Sequence, residues 1–435
     1  EDGRVVRTDF LGINSVEGLL NDPHLNDLHL EAEGSALVEH ERIPFQSFPY
    51  EWPPEMLHAA GCLTLDLAQV LLKEGLGLKD ATPYNILFRG PTPVFVDVLS
   101  FEKRDPTDPI WLPYAQFVRT FLLPLLANRR FHLPLTQILL TRRDGLEPED
   151  VYRLCGPLEK LRPPFLPLVS IPTWLGRKQS QDDQSVYQKK RWDNPEKARF
   201  FLDSLFKRLR RTLNRLEPRQ TRNSAWSDYM TSNNNYTSEH FEAKQAFVES
   251  ALQEVRPRRV LDVGCNTGHF SRIAARSGAS VVAIDYDEAV AGEVWKLAVA
   301  EGLDILPLVV DLARPSPAIG WRNRECAGFL ERAQHSFDAV LMLAVIHHLL
   351  VTERIPLDEI IDIAAELTTD LLVIEFVAPG DSMFKRLLRG REHLFVELTS
   401  EVFESECRRR FEIVRSQRLP GTERTLYLMR RRSEV

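Results

Sequence analysis

Three acidic residues and two glycines in the second half of the chain could together hold a ligand. Asp262 and Gly264 lie near the end of an apolar run, and Gly268 opens a helical pattern. Glycine lacks a Cβ atom, so the backbone can approach a ligand closely there and present its amides. Asp285 and Asp311 end the next two apolar runs. A carboxylate at either position can accept hydrogen bonds from hydroxyl or amino groups, so these residues predict a nucleotide-type site.

The elements that must position these residues alternate between strand and helix from residue 241 onward. Such alternation predicts a mainly parallel sheet that is covered by helices on both faces. The carboxyl ends of parallel strands meet at one edge of the sheet, where ligands bind. The pattern predicts strands at 259–263, 280–285, 305–311, 337–343, 371–376, 411–417 and 425–430. It predicts helices at 241–255, 268–276, 288–301 and 357–367.

The glycine spacing separates two classes of nucleotide site. A strand, a glycine turn and a helix could form a dinucleotide site, but the spacing here is G-x-x-x-G and not G-x-G-x-x-G. With Asp262 just before Gly264, the segment resembles motif I of class I S-adenosylmethionine (SAM)-dependent methyltransferases. The resemblance implies that the glycines and their amides surround the methionine part of SAM, with acids on its ammonium group, ribose and adenine. It implies these cofactor-binding residues: Asp262, Gly264, Cys265, Asn266, Gly268, Asp285, Tyr286, Asp311, Leu312 and Lys244.

Two histidines follow the fourth strand, where this family places the methyl acceptor. His347 or His348 could accept a proton from a hydroxyl or amine, and we favour His347 as the base. Glu375, at the end of the fifth strand, could also face the acceptor. Upstream of motif I, residues 226–236 carry aromatic side chains suited to a lid over SAM. Lys244 follows them as a candidate partner for the methionine carboxylate.

The first half of the chain carries a second pattern. Asp80, Asn85 and Asp97 have the spacing of a kinase catalytic loop and metal-binding strand, in which an Asp receives the acceptor proton and an Asn and a second Asp hold Mg²⁺. No G-x-G-x-x-G precedes them, and no lysine precedes Lys73. We therefore predict a degenerate, mostly helical, kinase-C-lobe-like α+β domain. A bifunctional kinase–methyltransferase is the alternative.

The predicted domains are a kinase-like one at 1–176, a linker with an amphipathic basic helix at 177–222, and a Rossmann-like, seven-stranded methyltransferase domain at 223–435. Segments in both halves resemble bacterial methyltransferases of the nodulation-protein NoeA type. The resemblance implies O-methylation of a sugar, glycan or related small-molecule hydroxyl. A less favoured hypothesis is an RNA methyltransferase, because Lys207–Arg215 places several cations on one helix face.

The composition of the chain argues against several other classes of protein. The net charge of −7 argues against a protein that binds nucleic acid with its whole surface. The five cysteines form no C-x-x-C pair, so we predict neither a disulfide framework nor a metal site. No apolar run approaches the roughly 20 residues of a membrane span, and we expect a cytoplasmic protein without membrane insertion. The chain opens with Glu1, so residues could precede it.

Overall fold

The structure is a computed structural model, and it describes residues 3–11, 37–176, 191–218 and 238–432. The segment 226–236, which we predict to form a lid, lies outside the described residues, as do residues 177–190 and 219–222 of the predicted linker.

The N-terminal half is mostly helical, with three small antiparallel sheets. The long first helix begins at Pro54, where proline suits a helix's first turn, and Gly75 follows its end with φ of +74°. The strands are β1 (Thr8–Leu11), β2 (Leu37–His40), β3 (Leu76–Leu78), β4 (Ile86–Arg89), β5 (Thr92–Phe95) and β6 (Phe101–Lys103), paired β1–β2, β3–β6 and β4–β5. The helices are α1 (Pro54–Lys73), α2 (Tyr114–Phe117), α3 (Leu123–Phe131), α4 (Leu135–Thr141), α5 (Pro148–Leu154), α6 (Ile171–Gly176) and α7 (Pro195–Arg215).

The C-terminal half alternates between strands and helices, as the hydrophobic pattern predicts. Its strands are β7 (Arg259–Val263), β8 (Ser280–Asp285), β9 (Ile305–Val309), β10 (Phe337–Met342), β11 (Thr368–Val377), β12 (Phe411–Arg418) and β13 (Arg424–Arg431). Its helices are α8 (Ser238–Val255), α9 (His269–Arg276), α10 (Glu288–Glu301), α11 (Phe329–Ala333), α12 (Ile346–Val351), α13 (Leu357–Leu367), α14 (Ser382–Leu388) and α15 (Ser400–Arg410).

These seven strands form one sheet in the order β12-β13-β11-β10-β7-β8-β9. Strands β7 to β11 run parallel, and β13 pairs antiparallel with both β11 and β12. The carboxyl ends of β7, β8, β9 and β10 therefore meet at one edge. The predicted Rossmann-like α/β fold is confirmed.

The two halves share one hydrophobic core. Phe45 of the N-terminal half packs against Phe329 and Phe337, with ring centroids 6.1 Å and 5.7 Å away. The guanidinium group of Arg332 is buried at the same contact and forms an ion pair with the fully buried Glu51. Every residue of the edge strand β9 is buried, and the turn at Gly90 approaches Asp304 just before it. The N-terminal half thus covers one end of the sheet.

Helix α7, predicted at 194–216, lies against α1. Its Leu213 packs on Gly61, where an added Cβ would come within 3.3 Å of a leucine methyl group. Arg210 turns inward to Asp66, while Lys207 and Arg208 stay exposed. Helix α1 is long and apolar enough to cross a membrane, but just over half of that stretch is buried inside the protein. This burial is typical of a core helix.

Candidate functional site

A cavity of about 390 Å³ opens at the carboxyl ends of β7, β8, β9 and β10. It brings together residues that lie far apart in the sequence, including all three acids that the sequence predicts. The predicted residues that line it are Lys244, Asp262, Gly264, Cys265, Asn266, Asp285, Tyr286, Asp311, Leu312 and His348. Gly268, His347 and Glu375 do not line it.

Asp262 is the most deeply buried acid of the cavity, with 2% of its surface exposed. Strand β7 carries it toward α9, where Ser271 donates a hydrogen bond from Oγ to Oδ2 over 2.6 Å. Burial raises the pKa of Asp262 to about 7, although the Ser271 hydrogen bond and the charge of Lys244 oppose the rise. A cation bound beside Asp262 would favour its ionised form.

Asp285 ends β8 and is held by the backbone on both sides. The amides of Asn266 and Asp287 donate to its two oxygens, each over 3.1 Å. Burial raises the pKa of Asp285 to about 6, and these backbone hydrogen bonds oppose the rise. Each carboxylate oxygen has two lone pairs, so both oxygens retain capacity for the hydroxyl groups of a ribose.

The glycine turn shapes the cavity but offers fewer amides than the resemblance implies. The amides of Gly264 and Cys265 both donate to the carbonyl of Ile284, over 2.8 Å and 3.0 Å. Gly264 adopts φ of +66°, and a Cβ there would lie 2.7 Å from a methyl group of Val345. The amides of Gly264 and Cys265 therefore hold β7 and β8 together. Both residues line the cavity, and the contact of this turn with the methionine part of SAM stays a prediction.

Gly268 has a packing role. It is the N-cap of α9 with φ of +79°, and a Cβ there would lie 3.0 Å from a methyl group of Val294 on α10. Gly268 does not line the cavity, and its predicted contact with the cofactor stays a prediction. The glycine is needed for the left-handed backbone and for the close approach of the two helices.

Asp311 lies just beyond β9 at the far end of the cavity. One of its oxygens accepts the amide of Ala313 over 2.9 Å, and the other pairs with Arg314 over 2.8 Å. Arg314 also pairs with Glu353, over 2.5 Å, and Glu353 itself lines the cavity. Two acids bound to one arginine thus form the rim next to the predicted adenine position.

The two histidines begin helix α12 and point in different directions, because neighbouring residues on a helix are about 100° apart. His348 lines the cavity. His347 is 1% exposed and packs between His348 and Phe384, and its ring nitrogens have no hydrogen-bond partner among the described residues. The geometry favours His348 over His347 as the base, and the catalytic role of either ring stays a prediction. Burial and, to a smaller extent, Arg424 lower the pKa of His348, so its ring is neutral near pH 7.

Glu375 belongs to a buried ionic network behind the cavity. It is fully buried and pairs with Lys244 over 2.6 Å and with Arg424 over 3.2 Å, and Arg424 also pairs with Asp381 over 2.8 Å. Burial would raise the pKa of Glu375, but the two cations outweigh it and hold that pKa below its ordinary value. These ion pairs give Glu375 a structural role, and its predicted role at the acceptor stays a prediction. Lys244 reaches the cavity, and its contact with the methionine carboxylate remains a prediction.

The kinase-like triplet lies far along the chain from this cavity. Asp80 is exposed, with Gln116 3.4 Å from its Oδ1, whereas Asn85 is buried and its Nδ2 has no partner among the described residues. Asp97 follows β5 and precedes a single helical turn. No group of three or more His, Cys, Asp or Glu side chains within the described ranges is arranged to hold a metal ion.

Sequence reasoning missed the aromatic and peripheral walls of the cavity. Phe241 and Phe270 contribute rings from α8 and α9, and Leu387 contributes a side chain from α14. Thr267 and His269 adjoin the glycine motif, so their position in the motif was a signal that could have found them. Leu387 had no such signal, because it comes from a helix packed beside α12.

The arrangement of acidic and apolar side chains in the cavity fits a nucleoside that carries an amino-acid tail. Buried acids stand at the ends of β7 and β8, a third acid lies beyond β9, and the wall between them is apolar. Asp262 would hold the ammonium group, Asp285 the ribose and Asp311 the adenine.

Comparisons with known proteins agree with this geometry. A family model described as a methyltransferase domain matches residues 202–413. Nodulation protein NoeA of Rhizobium meliloti (strain 1021) is 31% identical over 409 residues, which cover 93% of this chain and 84% of NoeA. The chain therefore belongs to the methyltransferase family that includes NoeA. It is a SAM-dependent enzyme, and its cofactor is S-adenosylmethionine.

Solved structures also resemble the chain. N-methyltransferase NodS from Bradyrhizobium japonicum WM9, in complex with S-adenosyl-L-homocysteine, is 15% identical with a TM-score of 0.35, covering 49% of this chain and 95% of NodS. The magnesium protoporphyrin IX methyltransferase ChlM from Synechocystis PCC 6803 is 20% identical with a TM-score of 0.32, covering 47% of this chain and 97% of ChlM.

Proposed function

We propose that the enzyme methylates a hydroxyl group of a sugar, glycan or related small molecule. The observation that carries the proposal is His348, a neutral imidazole that faces the cofactor cavity from the first turn of α12. SAM supplies an activated methyl group. A hydroxyl becomes a better nucleophile as it loses its proton, and a neutral imidazole within reach accepts that proton.

The cavity wall supports an acceptor that binds beside His348. Val345 and Leu349 flank it on the same segment, and Leu387 approaches from α14. These side chains exclude water and hold the acceptor close, so proximity contributes to the rate. The name of the relative from Rhizobium meliloti connects it with nodulation, and the resemblance to that group favours a glycan as the acceptor.

Labelled SAM tests this proposal. The protein is incubated with methyl-labelled SAM and a fractionated glycan and metabolite extract, with Asp285→Ala as the matched control that weakens cofactor binding. We expect label in a sugar-containing fraction, attached to oxygen by mass spectrometry, and none with the control variant. Label on nitrogen alone, or no labelled product in any fraction, would reject O-methylation.

RNA is the second candidate acceptor. The observation that favours it is the exposed basic face of α7, which carries Lys207, Arg208 and Arg211. Binding through such a face releases counterions and weakens steeply with added salt. The same labelling experiment with total RNA decides the matter: unlabelled RNA, or RNA binding that does not respond to salt, excludes this function.

A bifunctional kinase–methyltransferase is a third proposal, and it rests on the spacing of Asp80, Asn85 and Asp97. We would compare Mg²⁺-dependent ATP turnover of the native protein with that of Asp80→Ala. Equal rates of ATP turnover by the native protein and Asp80→Ala would exclude a kinase activity that depends on Asp80.

A further inference from the structure

Helix α10 joins the cofactor cavity to the N-terminal half. It begins at Glu288, three residues after Asp285, and Asp285 and Tyr286 both line the cavity. Asp287 accepts the amide of Ala289 over 2.9 Å and so caps the helix. Its own amide donates to Asp285 over 3.1 Å. Two consecutive hydrogen bonds therefore link the first turn of α10 to Asp285, the predicted ribose-binding carboxylate.

The other side of this first turn is held by the N-terminal half. The Nδ2 atom of Asn128, on α3, lies 2.8 Å and 3.1 Å from the two carboxylate oxygens of Glu288. The amide of Leu135, at the start of α4, lies 3.4 Å from the same carboxylate. Asn128 is 4% exposed, and its Nδ2 also donates to the carbonyl of Leu133 over 3.0 Å. The side-chain amide of Asn128 is thus held in place by Leu133 while it contacts Glu288.

The rest of α10 also packs closely against the N-terminal half. Gly292 faces Glu55 of α1, and a Cβ there would lie 2.3 Å from a carboxylate oxygen. Lys296 pairs with Glu55 over 3.1 Å, and the indole nitrogen of Trp295 donates to the carbonyl of Pro91 over 3.0 Å. The helix cannot slide without breaking contacts to α1, α3 and the β4–β5 turn.

We propose that Glu288 is a positioning residue for SAM binding, through which Asn128 and the N-terminal half set the place of Asp285. Glu288 does not line the cavity, so it acts through the turn of residues 285–289. The N-terminal half thereby contributes to cofactor affinity although none of the described cavity-lining residues comes from it. The inference concerns cofactor binding alone and stands independently of the acceptor.

The test measures SAM binding by calorimetry at a temperature far below thermal unfolding. Glu288→Ala removes the acceptor, and we expect the Kd for SAM to rise about tenfold. Glu288→Gln keeps an acceptor oxygen but removes the charge, so it should recover most of the affinity. Because both variants lose the charge near the helix N-terminus, their difference isolates the hydrogen bond from the helix-dipole effect.

Two further variants separate positioning from general stability. Val151→Ala creates a cavity in the buried core of the N-terminal half, on α5, and should lower Tm while leaving the Kd for SAM unchanged. Asn128→Leu should raise the Kd for SAM as Glu288→Ala does. The Kd of the double variant Asn128→Leu/Glu288→Ala should be no higher than that of either single variant, because both changes remove the same interaction. Wild-type affinity in Glu288→Ala, or an equal loss of affinity in Val151→Ala, would overturn the proposal.

Discussion

Burial raises the pKa values of two acids that line the cavity, Asp262 and Asp285. The pKa of Asp262 is about 7 and that of Asp285 is about 6, because both carboxylates are withdrawn from water. Between roughly pH 4 and pH 7 the folded, cofactor-free protein therefore holds protons that the unfolded chain has already released. Its stability falls as pH rises through that window. If Asp262 pairs with the ammonium group of SAM, as we predict, the cation favours the ionised form of Asp262, and cofactor binding releases a proton.

We accordingly predict that SAM binds more tightly as pH rises. Between pH 5.5 and pH 7.5 the Kd should fall roughly tenfold, since Asp262 must ionise to pair with the cation. Calorimetry in buffers with different ionisation enthalpies would detect the released proton. Asp262→Asn should bind SAM weakly, with a flatter pH response. A Kd that does not depend on pH in the native protein would contradict the pairing.

A second prediction concerns the histidine pair. His348→Asn should lower kcat by about a hundredfold or more, because a positioned base contributes this much to proton transfer, and it should leave the Kd for SAM unchanged. His347→Asn is the matched control and should change kcat far less, since His347 does not reach the cavity. The rates would be measured with the acceptor that the labelling experiment identifies. Equal losses in the two variants would mean that neither ring acts as the base.

The position of an acid at a strand end could be predicted from sequence, but the direction of a side chain on a short helix could not. Asp262, Asp285 and Asp311 reach one cavity because parallel strands bring their carboxyl ends together. His347 and His348 are equivalent in the sequence, and the packing of α14 against α12 decides which one is buried. Glu375 also lies near the carboxyl end of a strand, yet Lys244 and Arg424 hold it behind the cavity.

At the scale of elements, Arg424 ties the last hairpin to the rest of the sheet. It lies at the start of β13, is 2% exposed, and pairs with Glu375 on β11 and with Asp381 at the N-cap of α14. Burial would raise the pKa of Asp381, but its hydrogen bonds with Arg424 hold the value below the ordinary one. The stabilisation from these two acids is present above about pH 4 and is lost as pH falls.

We predict that Arg424→Ala destabilises the protein by about 3–5 kcal/mol, because it leaves Asp381 without its cation and Glu375 with Lys244 as its remaining partner. Arg430→Ala is the matched control on the same strand. Arg430 pairs with Asp370 over 3.1 Å at an exposed position, so its loss should cost about 0–1 kcal/mol. Urea unfolding at pH 7 would measure both variants. A similar cost for the two arginines would show that the network contributes little.

At the scale of the whole molecule, the contact between the two halves includes a buried ion pair, Arg332 with Glu51. Arg332 lies on α11, and its guanidinium group stacks over the rings of Phe45 and Phe48. Its ion-pair partner Glu51 is 281 residues away in the sequence. The carbonyl of Gln46 also accepts a hydrogen bond from Arg332. An ion pair removed from water at an interface stabilises docking only while both partners are present.

We predict that Arg332→Met weakens the junction of the halves by about 3–5 kcal/mol, because Glu51 remains buried without its cation. The double variant Arg332→Met/Glu51→Gln should recover part of that loss, since it removes both charges. Thermal unfolding followed by circular dichroism would compare them with Arg314→Met, a more exposed arginine of the same half. Equal Tm values for native protein and Arg332→Met would contradict the prediction.

The order of the strands and helices in the C-terminal half followed from periodicity, because alternating apolar runs suit a sheet covered on both faces. The junction could not be predicted in the same way. Its contacts join Phe45 to Phe329 and Asn128 to Glu288, and nothing local in those segments marks a partner so far along the chain. Gly292 has no distinguishing neighbours in the sequence, yet it lies where α10 packs closely against Glu55 of α1.

The buried edge strand β9 has a consequence for how the chain can be divided. All five of its residues are buried, and it is the last strand on its side of the sheet. Cutting away the N-terminal half would uncover a row of unpaired peptide groups on an apolar strand, which is a template for joining another chain. A methyltransferase fragment produced alone should therefore self-associate through β9 and form oligomers.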